Sequence, residues 1–376
     1  MNEKIDWNLV RRDFPVTERF AYLNSAGAGP VMRQVHESAV SFYREMMEEG
    51  DARWEEWLDR REEMRQRVAR FINAEAYEIG FTINTSTGMN LIADALAGRG
   101  RVVSCNLEFP VSTLPWMHRG CSVKLIRARD GEVKTEDFLQ EVADGAEIIS
   151  LSHVQYSNGF RAPLEEIGRN KGRSAFVVNA SQSAGAFEID VKRMRIDALC
   201  ATGHKWMTAG YGSGFVYLSR ELLEENKARN VGWLSVEDPF LMRNDSYVMR
   251  RDAAARVELG CPHFAGIFAL GASCSRFMEI GTLEIEERVL ELNRSLTRQL
   301  TGAGFNVLSP LKNESARSAQ TLLAADKPKR LTEYLFSQGI SVTEKPQGIR
   351  ISTHLFNDEE DIARLISALK NKENEV

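Results

Sequence analysis

Paired cysteines are the first thing this sequence lacks. Its five, Cys105, Cys121, Cys200, Cys261 and Cys274, are scattered, odd in number and never spaced C-x-x-C. That excludes a disulfide framework or a cysteine zinc site and points to free thiols in a reducing compartment, so a cytoplasmic protein is expected. The six histidines are equally dispersed, and no metal is expected. No apolar run reaches the roughly 20 residues a membrane helix needs; the stretch from Phe264 to Cys274 comes nearest and is too short. The opening residues, Met1 to Trp7, are polar and lack the apolar core of a signal peptide. There is no basic excess, the formal net charge being −5, which argues against a nucleic-acid partner. No G-x-G-x-x-G joins a strand to a helix, so a nicotinamide enzyme is not indicated.

What is present is an ordinary globular composition, 43% hydrophobic and 27% charged, in 376 residues, enough for two or three domains. Val35, Ala39, Phe42 and Met46 recur at helical spacing, as do Trp57, Met64, Val68 and Phe71, with a break expected at Gly50-Asp51. Short apolar runs then alternate with helical stretches such as Thr87–Ala97 and Glu136–Val142. The runs are Arg101–Cys105, Val123–Ile126, Ile148–Ser152, Ala175–Val178, Ala198–Ala201 and Phe215–Leu218. Such alternation predicts an α/β fold with a mostly parallel sheet flanked by helices. Beyond about residue 265 a long helical pattern, Ile267 to Leu300, precedes short strands and helices, as in a smaller α+β module.

Ligands of open α/β sheets bind at the carboxyl ends of the strands, and four polar segments fall there. Thr82–Asn90 opens a helix with hydroxyls and unpaired N–H groups, which suits a phosphate but equally a plain cap. Ser152–Gly159 and Val177–Ser183 follow strands and read equally as turns. Ala201-Thr-Gly-His-Lys-Trp206 ends another strand, before the glycines 210, 212 and 214. A lysine facing a cleft there loses solvation, which favours its neutral, nucleophilic form; most lysines are solvated surface charges.

Together these segments, with Tyr22–Pro30 and Arg350–His354, resemble the class V aminotransferase family of fold-type I pyridoxal-5′-phosphate (PLP) enzymes, in the branch of cysteine desulfurases and epimerase-like proteins. The resemblance implies that Lys205 carries the cofactor as a Schiff base and moves the substrate's Cα proton. It implies that Thr85, Ser86, Thr202 and His204 hold the phosphate, that Phe109 stacks on the pyridine ring with Tyr156 nearby, and that Gln182 binds the phenolic oxygen. Arg350 takes the substrate carboxylate, with Asn24, Ala26 and Gly27 at the mouth. It further implies a homodimer with shared sites, a segment 1–30 at the mouth, a large PLP-binding domain over 31–265 and a small domain over 266–376.

Three departures qualify this. Asn179 stands where the family carries the aspartate that keeps the ring nitrogen protonated, so the electron sink is expected to weaken. Cys261 replaces a phosphate-binding threonine, and reads equally as a packing thiol. No cysteine follows Cys274, whereas the family's desulfurases use a cysteine nucleophile shortly before the Arg350 segment. The expectation is therefore an enzyme acting on an amino acid or small amine, transamination first, with elimination, epimerisation or a catalytically weak paralogue as alternatives. A persulfide-forming desulfurase is expected to be excluded.

Overall fold

The computed structural model describes residues 5–96, 98, 100–225 and 229–373. Its twelve strands are β1 (Ala21–Tyr22), β2 (Ile79–Phe81), β3 (Arg101–Cys105), β4 (Ser122–Ile126), β5 (Ile148–Ser152), β6 (Ala175–Asn179), β7 (Ala198–Thr202), β8 (Gly214–Leu218), β9 (Gln320–Ala324), β10 (Ile340–Ser341), β11 (Thr343–Lys345) and β12 (Gly348–Ser352). Seven build one sheet in the order β2-β8-β7-β6-β5-β3-β4, with β3 to β7 parallel and β8 antiparallel to both neighbours. β5, β6, β7 and β8 are buried at every position, as expected of strands covered on both faces.

Alternation along those strands divides the core into two layers. Val103, Ile149, Leu151, Phe176, Val178, Leu199 and Phe215 join a cluster that includes Phe42, Trp57, Val68 and Phe268. These come from the helices Arg33–Glu49, Trp54–Phe71 and Phe264–Ile280. Val102, Ile148, Ala175, Val177, Ala198 and Val216 face the other way, onto Met89, Ile92 and Ala93 of the helix Thr85–Ala95. The α/β architecture is thus as expected, with every strand of the sequence reading between 101 and 218 matched within a residue. The expected helix end at Ala97 lies outside the described residues. Among the described residues no helix is long and apolar enough to cross a membrane.

The pattern read as one helix from Ile267 to Leu300 is two, Phe264–Ile280 and Thr282–Gly302. Gly281, at φ 101, turns the chain between them in a conformation that L side chains rarely adopt. The first packs with the large sheet's core, the second with the C-terminal part. There β9, β12 and β11 form an antiparallel sheet, and β1 pairs in parallel with β10. Ala21 and Leu23 accordingly sit in one core with Leu292, Leu296, Leu323, Ile349, Ile351 and Leu365. The short apolar run Phe305–Leu308 forms no strand, only one bridge, Val307 to Leu323.

One buried ion pair fastens the sheet's edge. Arg65 holds both oxygens of Glu258 and donates to the Ile79 carbonyl, while the Phe81 N–H donates to Glu258 at 2.8 Å. Removing Arg65 leaves the Glu258 carboxylate buried with only the longer Arg61 contact, 3.8 Å, as a charge partner, at about 3 kcal/mol. Arg65→Met should therefore lower the urea midpoint of unfolding by an amount equivalent to about 3 kcal/mol; an unchanged midpoint would contradict this reading.

Candidate active site

β2, β3, β5, β6 and β7 run the same way, so their carboxyl ends open on one rim, and each sends a polar segment across it. Beyond β2, the Asn84 side chain caps the helix Thr85–Ala95 by accepting from the Thr87 N–H at 2.9 Å. This leaves Thr85 and the exposed Ser86 at a helix start. The Thr85 and Ser181 hydroxyls lie 2.6 Å apart, joining that start to the turn after β6. Beyond β7, Thr202 Oγ1 is 2.8 Å from His204 Nδ1, and the His204 ring stacks on Tyr211 at 4.6 Å. Burial and the Lys205 charge lower the imidazole to about 4, so it is neutral near pH 7. With Thr202 donating, its Nε2 carries the proton and can donate to an anion.

Lys205 follows directly. Burial first, then the charges of Arg350 and Lys345, bring its amine from 10.5 down to about 8. Its Nζ lies 5.9 Å from the centre of the Phe109 ring. Phe109 meets Tyr156 edge to face at 5.1 Å, and Tyr156 receives the Lys345 ammonium 4.4 Å from its ring centre. Main-chain geometry holds the lysine turn: the Gly29 N–H donates to the His204 carbonyl at 2.8 Å. A Cβ at position 29 would lie 2.0 Å from the Lys205 carbonyl oxygen, so only glycine permits this approach.

Gln182 is fixed at both ends, accepting from Trp206 Nε1 at 2.8 Å and donating to the Ala26 carbonyl at 3.0 Å. Asn179 is buried at the end of β6. Its Oδ1 accepts from the Ser181 N–H at 3.0 Å, and its Nδ2 donates to Ser112 Oγ at 3.1 Å. One amide hydrogen and one lone pair are left over for a ring nitrogen, without a charge.

Arg350 comes from the middle of the three-stranded sheet and is 4% exposed. Burial lowers its guanidinium to about 10, its Nε has no partner, and its Nη2 only reaches Thr343 Oγ1 at 3.5 Å. The Thr343 hydroxyl in turn donates to Asn24, and the Ala26 N–H donates to Ser352 at 3.1 Å. Asn24 and Ala26 thus tie this segment to the small sheet beside Arg350, and the Ala26 carbonyl ties it to Gln182; Gly27 follows, its N–H on the Asn24 carbonyl. Cys261 stands apart: it is exposed, in a cleft with Thr82, Thr87 and Gly212.

Four contributors were not read from sequence: Glu108, Ser112, Gly29 and Lys345. The Glu108 carboxyl turns inward and accepts from the Ser152 N–H, the Ser152 hydroxyl and Gln155 Nε2, while burial raises its pKa. Its one signal was an acid within Glu108-Phe-Pro110, just beyond the apolar run Arg101–Cys105. In cofactor-free protein, amine-directed labelling of Lys205 followed against pH should show a midpoint near 8, moving up in Arg350→Gln. A wild-type midpoint above 10 would contradict the cleft's electrostatics.

A family model, aminotransferase class V, matches residues 21–365. A probable cysteine desulfurase of Methanothermobacter thermautotrophicus is 30% identical over 299 residues, covering 76% of this chain and 74% of that protein. The apo cysteine desulfurase of Thermococcus onnurineus NA1 superposes with TM-score 0.90, at 24% identity and full coverage of both chains. The cystine C–S lyase C-DES superposes with TM-score 0.85 at 21% identity, both in complex with cysteine persulfide (95% of this chain, 98% of that one) and, as a lysine variant, with glycine linked to its PLP cofactor (97% and 99%). The cysteine desulfurases among these relatives overturn the expectation that transamination comes first and that persulfide formation is excluded. Family model, relatives and fold agree: the chain belongs to the class V aminotransferases and is a PLP-dependent enzyme.

Proposed function

We propose that this enzyme removes sulfur from cysteine and passes it to a thiol as a persulfide. L-cysteine and R–SH would give L-alanine and R–S–SH: a C–S bond breaks, an S–S bond forms, and no outside oxidant or reductant is needed. The observation that carries this is the convergence of Lys205, its amine near 8, with a buried Arg350 whose Nε lacks a partner, in a chain whose relatives include cysteine desulfurases.

The residues present fit PLP. Thr85, Ser86, Thr202 and His204 offer hydroxyls, helix-start N–H groups and an imidazole N–H to the phosphate. Phe109 offers a ring face beside Lys205, with Tyr156 against its edge. Gln182 offers its remaining amide hydrogen to the phenolic oxygen, and Asn179 an uncharged partner to the ring nitrogen. When bound, the cofactor supplies the electron withdrawal that makes the substrate's Cα–H acidic. Lys205 then moves the proton between Cα and the neighbouring carbons, which an amine poised near neutral pH does well. Arg350 fixes the carboxylate bidentately, and Asn24, Ala26 and Gly27 close the mouth around it.

The acceptor thiol comes from solution in this reading. Cys105, Cys200 and Cys274 are buried, their thiols pushed up by burial, and no cysteine follows Cys274. Scattered cysteines with no disulfide among the described residues also favour the cytoplasm. We further propose a large lobe over 31–265, a small lobe over 266–376 with segment 1–30 at the mouth, and a homodimer. The exposed Phe240, Leu241, Met242, Tyr247 and Val248 would supply apolar surface to its interface, with Cys261 in the segment turned to the partner's phosphate site.

Purified protein given PLP, L-cysteine and dithiothreitol should show a visible cofactor band and release sulfur. Lys205→Ala should lose both, whereas Arg350→Gln should keep the band and raise KM roughly 10- to 100-fold. A wild type that binds PLP yet releases no sulfur would overturn the reaction. Sedimentation of the holoenzyme should give a dimer mass at micromolar concentration; a monomer there would refute the shared-site arrangement.

A further inference from the structure

The cleft holds one more cation than the reaction requires. Lys345 ends β11, two residues beyond Thr343, which pairs with Arg350 across the strands. Alternate strand residues share a face and stand about 7 Å apart, so Lys345 and the Arg350 contact lie on one side of the small sheet. The Lys345 ammonium sits over Tyr156, 4.4 Å from its ring centre, and Tyr156 abuts Phe109 beside Lys205. Among the described residues no carboxylate lies in ion-pair range of Lys345, Lys205 or Arg350. Burial first, and then the Arg350 charge, lower Lys345 to about 8.

Two of these cations have partners in the proposed reaction. Lys205 would be taken up in holding the cofactor, and Arg350 would meet the substrate's α-carboxylate. Lys345 is left, beyond the ring pair and across from the point where Arg350 would fix the substrate's backbone. A side chain extending from Cα along this face would end near it.

We propose that Lys345 is a second anion subsite, which selects amino acids whose side chain ends in a negative charge: an acid group on the sulfur or in its place. The inference rests on the reading of the cleft as an amino-acid site, but not on C–S cleavage. Tyr156 serves as the platform that holds the ammonium in place by its ring face.

L-aspartate and L-asparagine have the same shape and differ in one charge, so their calorimetric affinities for the holoenzyme isolate the subsite. Wild type should bind aspartate roughly 10- to 100-fold more tightly than asparagine, as a charged hydrogen bond would give. Lys345→Gln should bring the ratio to about one, and Lys345→Arg should retain it, with the cofactor band intact in both. No preference in wild type, or a preference unchanged in Lys345→Gln, would overturn the proposal. A preference that depends on Lys345 in an enzyme releasing no sulfur would sustain the subsite and sink the desulfurase reading.

Discussion

Like charges held together without a counter-charge are the constraint on which this site depends. Lys205, Lys345 and Arg350 repel one another, and burial makes each charge dearer still. The fold resists this by fixing each from a different element. The turn after β7 holds Lys205 through the close approach of Gly29. β12 holds Arg350 at the centre of a three-stranded sheet, and β11 holds Lys345 against Tyr156. The consequence is chemical: the Lys205 amine is brought within reach of neutrality, and an anion entering the cleft meets two cations, Lys345 and Arg350, that no carboxylate among the described residues pairs.

The two halves of this arrangement belong to different cores, and the segment from Ala21 to Gly29 connects them. Its first residues pair with β10 and pack among the C-terminal leucines and isoleucines. Its last residues reach Gln182 and the Lys205 turn. Asn24 meets Thr343, which also meets Arg350. A shift of either lobe would therefore be felt at the carboxylate end and the lysine end together, which is how a lysine and an arginine from separate sheets keep one geometry.

Much of this was legible in sequence where one physical rule dominates. β5, β6 and β7 are buried on both faces, so they appear as unbroken apolar runs with polar residues just beyond, and those residues proved to share one rim. The break at Gly281 was hidden because the apolar stripe continues across it. β1 and β10 are two residues each, too short for any periodicity. Lys345 lies in a polar stretch where charge alone signals only solvent, and Glu108 turns inward from a loop. The reaction was misjudged for a related reason. The cysteine missing after Cys274 was taken to exclude an entire chemistry, which the cysteine desulfurases among its relatives overturn.

The product balance from L-cysteine tests the account most directly. With PLP, L-cysteine and a small thiol, the enzyme should form L-alanine and the thiol's persulfide in equal amounts. Pyruvate and ammonia in place of alanine, or alanine without persulfide, would contradict it.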